Sequence, residues 1–222
     1  HGLTLRVSGS EYARDITAFP AALREDTVFL RTDALQRWLA EKIEIWSVHE
    51  ADGALKSAID CYGMQGDKAT LLPRMAEQES EVLILHEIGE AMAEPMLGTV
   101  WRDMLLSFNS RRAIFMARSV RDNLADCLST LPELVRREQT CPIHFYFANL
   151  EGLRRTLFPL LVTAYEHWCE SGDTNLLLAA AESGRAHWLA VARQLLSTWQ
   201  NDPQGAQMLI DGWVDQHGSL AL

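Results

Sequence analysis

From Thr32 onward, apolar residues return every three or four positions, as in Leu35, Trp38, Leu39, Ile43 and Trp46 of "TDALQRWLAEKIEIW". Only a helix brings that spacing onto one face. The breaks in the pattern carry helix-end chemistry. Thr32 and Asp33 are cap candidates for the first long helix, Gly53 can kink it, and "QGDKAT" reads as a turn. A second helix is expected from about Leu72 to Ala93, stopping near Pro95, because a proline disfavours helix just before it. A short helix follows around Trp101, and Asn109 or Ser110 caps "RRAIFMARSVRDNLADCLS". Pro132 and Pro142 fit first helical turns, and Pro159 should bend or break the segment from Pro142 to Glu170. "SGD" separates this from a helix spanning roughly Thr174 to Gln200, and Asp202–Pro203 opens the last one, to about Gln216.

These signals predict an all-α protein, a multi-helix bundle of about seven to eight helices. Residues 31–222 read as a single helical domain, within which 172–222 could form a smaller C-terminal subdomain. Residues 1–30 form an irregular N-terminal segment. In it "LTLRVSG" reads as a peripheral tail or short strand, and "GSEYARDITAFPAALRED" as two short helical pieces broken at Pro20.

Charge narrows the partners. Thirty acidic against 20 basic residues give a formal net charge of -10, which argues against nucleic acid or an anionic membrane surface. The longest apolar runs, "LFPLLV" and "LLLAAA", are far short of the roughly 20 residues that span a bilayer. Cys61, Cys127, Cys141 and Cys169 form no CxxC pair, so they read as buried free thiols of a cytoplasmic protein. The chain opens at His1 rather than Met, so a removed leader or a tag scar stays open. No GxSxG, P-loop, GxGxxG or HExxH is present, which leaves serine-hydrolase, nucleotide-cofactor and zincin chemistry without support.

The one concentrated cluster of polar chemistry is "LHEIGEAMAEP", Leu85 to Pro95, directly after the apolar run "VLIL". His86 and Glu90 are four apart, and Glu87, Glu90 and Glu94 follow at three and four, so Glu90 belongs to two overlapping faces. Imidazole and carboxylates at this spacing bind Fe, Mn or Zn inside helical bundles, with ligands drawn from several helices. Two further segments offer partners: "WSVHEADG", with His49 and Glu50, and "ARSVRDNLADCL", with Asp122 and Asp126 one turn apart. Two such acids repel one another unless a cation, an arginine or solvent offsets them. Each cluster also has a plainer reading. The glutamates suit a solvated helix face, Asp122 and Asp126 could pair with Arg118 and Arg121, and His49 suits a half-buried satisfied imidazole.

Elsewhere the signals favour packing. Phe145, Tyr146 and Phe147 beside His144 read as core, while Arg154 and Arg155 could neutralise the acids above or bind an acidic ligand. His167 and His187, each before a Trp, read as packing or surface residues.

Two resemblances reach these residues. "VLILHEIGEA" resembles the central motif of HD-type metal-dependent phosphohydrolases, which are all-helical and whose ligands run His, then His-Asp, then a later Asp. His49, His86 with Glu87, and Asp122 or Asp126 fall in that order, with Glu87 standing where that family has Asp. The blocks "LHEIGEA", "VRDNLADCL" and "FYFANLEGLRRTLFP" resemble an uncharacterised family of bacterial helical proteins with a domain of unknown function. That resemblance groups the three blocks into one unit and implies no chemistry; an acid would be expected after "LFP", where Leu160 stands.

The sequence thus points to a helical metalloprotein with a non-haem site for Fe or Mn before Zn, compatible with an oxidoreductase. The proposed ligands are His49, His86, Glu90 and Asp122, with Glu87 and Asp126 as further ligands or as acids that orient the imidazoles. An HD-like phosphohydrolase and a non-catalytic helical interaction module are the alternatives. Substrate, protein partner and oligomeric state have no signal.

Overall fold

A computed structural model describes residues 2–10, 19–49, 51–63 and 68–215, with the side chains at 49, 68–70 and 214–215 outside the described set. Three strands open the chain: β1 (Thr4–Ser8), β2 (Ala21–Arg24) and β3 (Thr27–Arg31). Among the described residues, all regular structure after Arg31 is helical: α1 (Thr32–His49), α2 (Ala54–Tyr62), α3 (Lys68–Leu97), α4 (Val100–Ser107), α5 (Arg111–Ala125), α6 (Leu131–Arg136), α7 (Thr140–Asn149), α8 (Gly152–Leu157), α9 (Pro159–Ser171), α10 (Asn175–Asn201) and α11 (Pro203–Asp215). The protein is therefore mostly all-α, with a short N-terminal sheet.

The sheet has the order β1-β3-β2, with β1 parallel and β2 antiparallel to β3. Ala21–Arg24, in the second half of the segment that reads as broken helix, is strand. The ladder with β3 overrides the helical preference of "AALR", and a two-residue link with Glu25 at φ 55 closes the hairpin. The other half of that segment, residues 11–18, lies outside the described residues. Along β3 burial alternates, with Val28 and Leu30 inward. β1 is paired along its backbone, yet Leu5 and Val7 stay exposed, so it is peripheral without being irregular.

Most helix ends follow the sequence signals. Ser110 accepts the Ala113 amide, and Asp202 accepts the Gly205 amide at 3.0 Å. Pro159 begins α9, and with Gly152 and Phe158 it divides the segment from Pro142 to Glu170 into three helices. α3 departs from expectation by running through Pro95. The end is made by Gly98, at φ 72, whose N–H donates to the Glu94 carbonyl at 2.8 Å. Between α5 and α6 the helix widens into a π turn, Asp126–Thr130.

The chain divides into two units, residues 1–88 with 133–149, and residues 89–132 with 150–222. In the first, Leu35, Leu39 and Ile43 of α1, Ala58, Ile59 and Tyr62 of α2, Leu71, Met75 and Ala76 of α3 and Phe145 of α7 form one apolar core. Cys61 and Cys141 are joined as a disulfide between α2 and α7, with their Cα atoms 5.4 Å apart. This corrects the reading of four free thiols. The pairing residues are 80 positions apart, and only the packing of α2 on α7 brings them within bonding reach. Cys127 is buried and free, and Cys169 is exposed.

Glu79 is buried in this unit and accepts a hydrogen bond from the Tyr62 hydroxyl at 2.6 Å. Loss of solvent pushes its carboxyl up to about 8, only partly countered by the tyrosine bond. A raised acid binds a proton in the folded chain that the unfolded chain has already released. Stability should therefore fall as pH rises from about 4.5 to about 8, by at most about 1.4 kcal/mol per unit from this group. Glu79→Gln should flatten that slope. Urea midpoints at pH 5 and pH 8 check it; an equal slope in both proteins would contradict it.

In the second unit α10 is the central helix and packs on α5, α9 and α11. Its buried stripe includes Leu177, Ala181, Trp188, Val191 and Leu195. Gly184 lies in that stripe because a β-carbon there would come within 2.5 Å of the Phe158 ring and 2.7 Å of the Cys127 sulfur.

Candidate metal centre

The site is built where α3 crosses α5. A larger residue is strongly disfavoured there: a β-carbon on Gly89 would collide with the Ala125 carbonyl of α5, coming within 2.7 Å of its carbon, unless the two helices part. The two backbones therefore touch at this crossing. Glu90 follows the contact glycine directly, and Asp122 stands about one turn before Ala125, so the close approach faces one acid with the other.

His86 stands one helical turn before Glu90 on the same continuous α3. One donor atom each from His86, Glu90 and Asp122 lies within 4.8 Å of the others, and all three residues are half-buried. Among the described residues this is the one such group of three metal-ligand side chains. The acids already have a cation. Arg121 donates from Nη2 to Glu90 Oε1 at 2.5 Å and to Asp122 Oδ1 at 3.3 Å. Its Nε is buried and has no hydrogen-bond partner among the described residues.

The other described candidates are not in this group. Glu87 is buried, and as the residue next to His86 it projects about 100° further round the helix, away from the face that carries His86 and Glu90. Glu94 is exposed. Asp126 is buried on the π turn, where it pairs with Arg154 and accepts the Thr130 hydroxyl at 2.9 Å. Arg154 thus does neutralise one of the two acids, while Arg121 pairs with the other. His49 closes α1, and its side chain lies outside the described residues, as does Glu50. His144 is half-buried, and loss of solvent lowers its pKa. Arg121 is the residue that sequence reasoning undervalued. Its position beside Asp122 was visible, but the reach from α5 to Glu90 on α3 was not.

Fold and site together define a helical protein with a His/carboxylate cluster between two closely crossed helices. The chain belongs to a family of unknown function, DUF6866: the model of that family's C-terminal domain matches residues 36–217. No curated protein and no solved structure matches the chain. No helix among the described residues is long and apolar enough to cross a membrane.

Proposed function

We propose that this protein binds a divalent transition metal through His86, Glu90 and Asp122. The observation that supports the reading is the convergence of three donor atoms within 4.8 Å from two helices whose backbones touch. One imidazole and two carboxylates form a donor set that suits Mn(II) or Fe(II) before Zn(II). Three protein donors leave coordination positions open, which is the arrangement of a site that handles a small ligand rather than a purely structural one. Asp126 is engaged by Arg154 and Thr130, so its part is to hold the π turn that follows α5.

Such a site serves either hydrolysis, through a metal-bound water, or oxidative chemistry with a redox metal. Glu90→Gln separates this reading from an interaction module with a merely polar patch. It keeps the shape of the side chain and removes its charge. Mn(II) affinity, followed by electron paramagnetic resonance during titration, should fall tenfold or more. Equal affinity in both proteins would remove Glu90 from the site.

A further inference from the structure

We infer that Arg121 is a displaceable counter-cation, and that metal binding turns it into the recognition arm for a small oxyanion held on the metal. The inference rests on the metal reading above. Glu90, Asp122 and Arg121 together carry one net negative charge, so the site attracts a cation. A divalent ion on the two carboxylates changes that to one net positive charge. The guanidinium and the metal then repel each other and compete for the same oxygens.

The geometry favours release. Both bonds to the acids leave from a single nitrogen, Nη2, so neither carboxylate is gripped bidentately, and release of Nη2 frees the edge it shares with Nε. Nε is buried and without a hydrogen-bond partner among the described residues. An unanswered buried donor is a cost that a ligand can remove. Nε and one Nη together are the edge with which arginine grips an oxyanion bidentately. An anion on an open metal position would meet this edge and would restore neutrality. The ligand class is therefore a small molecule with a carboxylate or phosphate group.

The test is a Mn(II) titration of the full chain in wild type, Arg121→Gln and Arg121→Lys. Each is run without added anion, with acetate and with inorganic phosphate. Without anion, Arg121→Gln should bind Mn(II) about tenfold more tightly than wild type, because the competitor is gone. Arg121→Lys keeps a charge and should stay near wild type. Anion should tighten Mn(II) binding several-fold in wild type but not in either variant, since lysine lacks the fork. The arm that responds, acetate or phosphate, tells which oxyanion the site takes. Should Arg121→Gln misfold by circular dichroism, the loss of the anion effect in Arg121→Lys carries the test alone. Equal or weaker Mn(II) binding by folded Arg121→Gln, or an anion effect of the same size in wild type and Arg121→Lys, overturns the inference while leaving the metal site standing. Absence of Mn(II) binding in all three proteins overturns the metal site itself, and this inference with it.

Discussion

Gly89→Ala should lower the melting temperature by about 4 to 8 °C and weaken Mn(II) binding by tenfold or more. Alanine ordinarily favours a helix interior over glycine by up to about 1 kcal/mol. Here the added carbon meets the Ala125 carbonyl, and neither group can rotate away because both belong to helical backbone. α3 and α5 must part locally. Overpacking of this kind costs roughly 1–3 kcal/mol, and with backbone on both sides the upper end applies, leaving about 2 kcal/mol net. For a chain of this size each kcal/mol moves the midpoint by roughly 2–4 °C. The same separation carries Glu90 away from Asp122. Gly212→Ala is the control: it lies in α11, and its β-carbon would meet nothing within 4 Å. It should be neutral or mildly stabilising. Calorimetry and the Mn(II) titration check both variants; a Gly89→Ala protein that melts higher than wild type would mean the helices do not touch there.

The largest loss of stability should come from Arg154→Met. Asp126 is 1% exposed, and Arg154 supplies its opposite charge, with Thr130 adding one hydrogen bond. Removing one partner of a buried pair leaves the other charge without its offset, at a cost of about 3–5 kcal/mol. Arg154 keeps a quarter of its side chain in solvent, so the lower end, about 3 kcal/mol, is the expectation. Adding Asp126→Asn to Arg154→Met should recover part of that loss, because the stranded charge goes with it. Urea unfolding of the single and double variants gives the coupling directly. A double variant at the sum of the two single losses would show that the pair is not coupled.

Much of the helical architecture was legible because helix ends are written in local chemistry. Ser110, Asp202 and Pro159 each act within one turn of their own position, so their neighbours in sequence suffice. The face shared by His86 and Glu90 was legible for the same reason, and Asp122 and Asp126 stood out as two acids one turn apart. What was not legible depends on distant partners. Ala21–Arg24 becomes strand through pairing with β3, not through its own composition. Cys61 and Cys141 carry no spacing signal across 80 residues. Nothing local to Gly89 signals the backbone of α5 against it, and the division of Arg121 and Arg154 between the two acids is fixed by which helix each one meets. Pro95 marks a limit of a different kind: a proline disfavours helix before it without forbidding it, and α3 runs past it to Leu97.

The central claim is that His86 and the two acids hold one metal ion, and the nitrogen of His86 offers the most direct reading of it. Pulsed electron paramagnetic resonance of Mn(II)-loaded wild type should show one bound ion per chain, with coupling to a single imidazole nitrogen. In His86→Ala that coupling should vanish while the manganese that still binds keeps only oxygen donors. A wild-type protein that takes up no Mn(II), or a nitrogen coupling that persists unchanged in His86→Ala, would contradict the account.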